Sequence, residues 1–320
     1  MRKQDWNLMS SSGSLQNLIR QLCHGDLWLP WLPLSEAELP HDLGGLYQIR
    51  MQGGKACIYI GETENYKRRL DHELRRSLRA KTMPNGEHHT AAPGLWYLQQ
   101  TYTDHPLQLS LAPLTGISSV QRKGLESLAI ALERRAYQRS PVLNYGRMPD
   151  GQAKPRRGSA RNPEPDISDE SIAPIGDLFD TAIQQVLTLH WGGHQWSDWT
   201  PVSKLRHEKA QGIYRLRHDR ESLLVVIGHG TIAHVASFDT TLTCSYVLGS
   251  WSKGRRRELV DDLVALHLLR HGRLPSTQFG GQENHFEQEQ HESFIQYLRR
   301  MEESVLEKMW FPQTNILRAS

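Results

Sequence analysis

The sequence predicts a mixed α/β (α+β) protein built from two related domains, and three observations carry that expectation. Strand-like apolar and aromatic runs joined by a glycine turn lead directly into amphipathic helical patterns. Segments of the first half return in the same order in the second. A stretch of linker composition separates the halves.

The first pair of strands is written in Leu46-Tyr47-Gln48-Ile49 and Ile58-Tyr59-Ile60, rich in β-branched and aromatic residues, with Gln52-Gly53-Gly54-Lys55 as the hairpin turn. Gly61 ends the second strand, and Thr63 or Asn65 can cap a helix running from Asn65 to about Ala80. Leu70, Leu74 and Leu78 form its apolar stripe. Lys67, Arg68, Arg69, Arg75, Arg76, Arg79 and Lys81 crowd its remaining surface against Asp71 and Glu73, an excess of one sign that suits a phosphate-facing surface. A second helix spans Gly124 to Arg139, with Leu125, Leu128, Ala129, Leu132 and Ala136 on one stripe. Glu126, Ile130, Glu133 and Tyr137 share another face, and Ser140-Pro141 stops the helix.

Four zones follow: a lead-in over 1–40, a first domain over 41–146, a linker over 147–174 and a second domain over 175–320. The lead-in carries a candidate helix at Leu15–Leu22, and the chain is expected to close on an amphipathic helix near Gln288–Met309. Trp31-Leu32-Pro33 before Gly45-Leu46-Tyr47 is matched by Trp199-Thr200-Pro201 before Gly212-Ile213-Tyr214. Pro141 through Gly146 is matched by Pro275 through Gly280.

Composition narrows the function classes. The chain has 320 residues, 38% hydrophobic and 23% charged, with a net charge of only +3, so binding of nucleic acid would depend on local clustering of charge. Cys23, Cys57 and Cys244 lie far apart, which speaks against a zinc site or disulfide framework and for a reducing, cytoplasmic setting. Met1–Ser12 has no apolar core of a signal peptide, and the apolar stretch Leu27–Leu34 is too short and proline-broken to span a membrane.

Gly45-Leu46-Tyr47 and Tyr59-Ile60-Gly61, with Arg69 ten residues after Tyr59, Leu125-Glu126 in a Leu-Glu-x-x-x-Ile helix, then Pro141 and Asn144, resemble the GIY-YIG nuclease family. The resemblance implies two small, mainly antiparallel three-stranded sheets flanked by helices. It also implies hydrolysis of DNA phosphodiester bonds with one Mg²⁺ or Mn²⁺ ion. Tyr47 and Tyr59 would orient or deprotonate the water once a nearby cation lowers a phenol pKa. Arg69 would hold the phosphate, Glu126 the metal, and Asn144 would tie the site together. Glu133 stays open as an alternative to Glu126. His72 is a weaker candidate for phosphate, and His88-His89 reads as a surface pair in a polar loop.

In the second copy Tyr214 is kept. Val226, Ala236, Val260 and Gln278 stand at the positions of Tyr59, Arg69, Glu126 and Asn144, so that copy reads as degenerate. Its basic residues, Arg255 and Arg256 among them, join Lys67, Arg68, Arg75, Arg76 and Arg79 as the expected DNA-binding set. Trp191, Trp196 and Trp199 are open between core and base stacking. Cutting both strands from one site per chain would favour a homodimer or higher oligomer. The opposing class is a non-catalytic nucleic-acid-binding or assembly protein.

Overall fold

The computed structural model describes residues 11–12, 14–85, 89–149, 152, 186–219 and 221–280. The expected C-terminal helix, nearly all of the expected linker and His88 lie outside them. Ser11–Ser12 (β1) precedes α1 (Leu15–His24), whose Ser14 side chain accepts the Asn17 N–H, and Leu32–Pro33 forms β2. Gly44–Met51 (β3) and Tyr59–Thr63 (β4) make the predicted hairpin. The helix predicted after it (α2) is π-helical over Lys67–Arg75 and α-helical over Arg76–Leu78; the Arg76 N–H reaches back five residues to the Asp71 carbonyl. Ala92–Thr101 (α3) follows, then β5 (Leu107–Thr115) and α4 (Ser119–Tyr137).

The helix α4 begins earlier than the stripe from Gly124 suggests, because Ser118 and Gln121 close a capping box in front of it. Strand β5 is buried along nearly all its length on both faces, so it shows no alternation from which to read it.

Hydrogen bonding orders the first sheet β1-β5-β3-β4, with β2 also on β5. The second half contains β6 (His190–Trp191), β7 (His194–Gln195), β8 (Thr200–Pro201), β9 (Gln211–His218), β10 (Val226–Thr231), β11 (Leu242–Leu248) and α5 (Lys253–His271). Its four-stranded sheet runs β10-β9-β11-β8. The shared order is β4-β3-β5-β2 against β10-β9-β11-β8, with every one of these pairings antiparallel.

The correspondence extends to side chains. Asn144 brackets the Ile60 peptide, accepting its N–H at 3.0 Å and donating to its carbonyl at 2.8 Å. Gln278 does the same to Ile227 at 2.9 and 3.0 Å. The next residue is left-handed in each case, Tyr145 at φ 62° and Phe279 at φ 59°. Arg50 stacks on Trp31 at 4.1 Å, and Arg217 on Trp199 at 4.2 Å.

The halves meet where α4 packs on α5, and related residues face one another there. Ser127 donates to Asp261 at 2.7 Å. Ser140 donates to Glu258, while at the matching pair Gly124 lies against Leu274 with no room for a Cβ. Arg134, fully buried, pairs with Asp262 and lies 3.6 Å from Glu258, which also takes Arg147 and Arg255. Burial alone would raise the Glu258 pKa, but Arg134 and Arg147 hold it down at about 2.

In the second half Trp191 and Trp196 are core, and Trp199 is partly buried against it. Trp191 is fully buried, and the guanidinium of buried Arg215 lies 5.5, 4.4 and 4.8 Å from Trp191, Trp196 and Trp199. Arg215 also donates to the Val186 and Thr188 carbonyls. Among the described residues no helix is long and apolar enough to cross a membrane.

Candidate active site

The register places Tyr47 opposite Gly61 and Ile49 opposite Tyr59, so both tyrosines lie on one face of the β3–β4 hairpin. Their ring centroids are 5.8 Å apart. Glycine is required at 61 because a Cβ there would lie 2.7 Å from the Tyr47 ring, and Gly228 stands in the same relation to Tyr214. Gly45, at φ 153°, has its Cβ space filled by the Ala112 carbonyl and the Tyr66 hydroxyl.

Arg69 comes to this face from α2. Its side chain hydrogen-bonds Tyr47 and donates to Glu73 at 2.8 Å. Burial opposes its charge, but Tyr47 and Glu73 outweigh burial and hold it cationic. The cap of α2 is supplied by Asn65, which accepts the Arg68 N–H at 2.8 Å, while Thr63 bonds the Asn65 backbone.

Glu126 approaches from α4. Burial pushes its carboxyl up to about 8, with further help from Asp261 and Glu62 and opposition from Arg69 and Lys123. It makes no hydrogen bond or ion pair among the described residues. Glu133 is two turns further on, about 10 Å along the axis. It accepts the Cys57 N–H at 2.5 Å beside a cavity of about 470 Å³ lined also by Tyr97, Tyr102 and His105. The arrangement separates the two glutamates that the spacing left open, and only Glu126 faces Tyr59 and Arg69 electrostatically. Asn144 does not enter the cluster; it fixes the backbone of Ile60 between Tyr59 and Gly61.

His89 departs from the sequence expectation, which puts it on the surface. It is fully buried, with Nε2 2.9 Å from the Tyr47 hydroxyl and its ring 5.2 Å from that of Tyr59. Its Nδ1 accepts the Ala91 N–H at 3.2 Å, so Nδ1 carries no proton. Nε2 therefore carries it and donates to Tyr47. Thr90 and Tyr47 hydrogen-bond Tyr59. The chain folds this loop inward because Ala91 and Ala92 anchor α3 in the core immediately after it.

The phenols also differ from expectation. Burial, then the neighbouring tyrosine, pushes the Tyr47 pKa well above 10 despite Arg69. Burial and then Glu126 raise that of Tyr59. Both phenols are protonated at rest.

The basic set divides. Arg68 and Arg76 on α2, and Arg79 just past its end, are exposed, and Lys67 is partly exposed with Nζ 2.8 Å from His41. Arg75 instead turns inward to the Leu34 and Ala37 carbonyls, and Arg255 is buried against Glu258. Those two side chains satisfy carbonyls and a carboxylate of the fold and are not surface cations. Arg256 is partly exposed and donates to the Trp251 carbonyl, and His72 is exposed.

Glu133 supplies a stability test. Burial raises its carboxyl to about 7 against the lowering bond from Cys57. A raised carboxyl pKa means that the folded state binds the proton more tightly. Its favourable contribution is complete below about 4.5 and is lost as pH rises through about 7. Glu133→Gln keeps the acceptor for Cys57 and is expected to stabilise the protein by roughly 1–2 kcal/mol at pH 8 and hardly at all at pH 4.5. Urea midpoints at the two pH values measure this; an equal effect at both would contradict it.

The chain matches no protein-family model, no curated protein and no solved structure.

Proposed function

We propose that the protein is a DNA endonuclease of GIY-YIG type, with the working site in the first half and a second copy of the same plan that has lost it. The meeting of Tyr47, Tyr59 and Arg69 on one face of the hairpin, with Glu126 of α4 close enough to act electrostatically on Tyr59 and Arg69, carries this reading. The second half offers Val226, Ala236 and Val260 at the matching positions, an apolar set with neither phosphate clamp nor carboxylate.

Among the described residues no group of three or more His, Cys, Asp or Glu side chains is placed to hold a metal ion, and a single carboxylate such as Glu126 suits a cation that keeps most of its waters. Glu126 fits that demand, because burial and its carboxylate neighbours leave it short of positive charge. It would hold Mg²⁺ or Mn²⁺. The ion, when bound, would stabilise negative charge growing on the phosphate and the leaving oxygen.

The protein's own groups would do the rest. Arg69 would bind a non-bridging phosphate oxygen with the guanidinium now shared between Tyr47 and Glu73. Tyr59 and Tyr47 would orient the water. Tyr47, protonated at rest, first releases its proton to solvent. The phenolate then takes the water proton as the water oxygen bonds to phosphorus and the bond to the leaving sugar oxygen breaks, and the sugar oxygen takes a proton from solvent. The donors His89 and Arg69 stabilise a phenolate as it forms, which compensates for the high resting pKa.

Cys23, Cys57 and Cys244 are buried and form no disulfide among the described residues, which supports a reducing, cytoplasmic setting. One site per chain cuts one strand at a time, so double-strand breaks would require two chains acting together, as a homodimer or higher oligomer.

Plasmid incubated with wild-type protein and Mg²⁺ is expected to be nicked, and EDTA to stop it. Glu126→Ala is expected to reduce nicking at least about 10³-fold, the scale of losing a group that acts in the transition state. Absence of nicking by wild type would favour the alternative, a nucleic-acid-binding or assembly protein that keeps the fold alone.

A further inference from the structure

We infer that the second half carries a DNA-phosphate site formed by His229, Lys253, Arg256 and Arg257, where β10 packs against the first turn of α5. The inference rests on the reading of the first half as a nuclease. In the first half Glu62 of β4 is paired with Arg122 of α4 at 3.2 Å, and Glu126 lies one helical turn on. Strand register and helix phase match Glu62 to His229, Arg122 to Arg256, Lys123 to Arg257 and Glu126 to Val260. Both carboxylates are gone from the second copy, and the cations remain with one more basic residue facing them.

Nothing described in the fold neutralises this group. Lys253, Arg256 and Arg257 form no ion pair among the described residues. They sit at i, i+3 and i+4 of α5, side by side on one turn. Three cations in the opening turn of a helix also oppose its dipole. His229 on β10 is half-buried, and its Nδ1 is enclosed with no hydrogen-bond partner. Burial and then Arg256, Arg257 and Lys253 depress its pKa, which is the signature of like charges crowded together.

Like charges crowded against an unpartnered ring nitrogen are costly unless an anion enters. A phosphate supplies several acceptor oxygens and a negative charge, and guanidinium groups match it well. Arg255, which the basic run would include, is excluded because Glu258 holds it in the core. The second copy would then serve as the part of the enzyme that grips the duplex, having exchanged carboxylate chemistry for binding of the phosphate backbone.

The test uses the full chain carrying Glu126→Ala, in EDTA, with a fluorescently labelled duplex of about 30 base pairs followed by anisotropy over a range of salt. Adding Lys253→Gln and Arg257→Gln, both exposed side chains, is expected to weaken binding at least about 10-fold. The slope of log affinity against log salt should become shallower by about 2, one for each phosphate that the variant no longer neutralises. His229→Glu, which restores the carboxylate facing Arg256, is expected to weaken binding while raising the melting temperature. Unchanged affinity and slope in these folded variants overturn the inference, whatever the nicking assay gives. A changed slope from a protein that never nicks DNA keeps this site and removes the nuclease reading instead.

Discussion

Arg134→Ala is expected to destabilise the protein by about 3–5 kcal/mol, the cost of stranding buried carboxylates without their cation. Arg134, Glu258 and Asp262 are all almost wholly inaccessible to water. Arg134 bridges the two carboxylates from the facing helix, and Ser140 and Arg147 complete the cage around Glu258. Burial pushes Asp262 up to about 7 even with Arg134 beside it, so removing the guanidinium leaves at least one proton to be taken up. Two controls separate charge from packing. Arg134→Met keeps much of the volume but not the charge and is expected to be nearly as damaging alone. Combining it with Glu258→Gln and Asp262→Asn is expected to recover a substantial part of the loss, since a neutral, packed interface carries no stranded charge. Urea unfolding monitored by tryptophan fluorescence measures all of these. A loss below about 1 kcal/mol for Arg134→Ala would show that the network contributes little to holding α4 on α5.

The parts of the fold legible in the sequence are those encoded locally. The two hairpin strands follow from alternation around Gly53, whose φ of 80° suits the turn, and α1 follows from its apolar spacing. The match between Asn144 and Gln278 is legible because each follows a helix-stopping proline and precedes a glycine. What the sequence hides is decided by tertiary context. The polar run Thr82–Ala92 gives a histidine no local reason to be buried; only the packing of α3 on the hairpin encloses it. The basic run at 253–257 similarly reads as one patch. Arg255, Glu258 and Asp262 nevertheless follow i, i+3, i+7 into the interface, a signal that the charges obscure. The π-helical winding of α2 leaves no mark in composition, since Leu70, Leu74 and Leu78 are buried as an ordinary stripe would be.

His89→Ala is expected to lower the nicking rate at saturating DNA about 10²-fold, with little change in DNA affinity, if the phenolate of Tyr47 takes the water proton. The Ala91 N–H occupies Nδ1, so the ring is held as the Nε2–H form with that proton aimed at the Tyr47 oxygen. Arg69 is the second donor to the same oxygen. Negative charge appearing there would be met by two fixed donors in a buried setting, where each counts for more than in water. Removing one raises an already high phenol pKa further, so the alkaline rise of the rate should move to higher pH along with the fall in rate. His89→Gln can still present an N–H and is expected to recover part of the rate and of the pH profile. A merely structural histidine would lower the melting temperature without moving that profile. Nicking by folded His89→Ala at the wild-type rate and with the wild-type pH dependence would remove His89 from the mechanism. It would also leave Arg69 as the donor on which ionisation of Tyr47 depends.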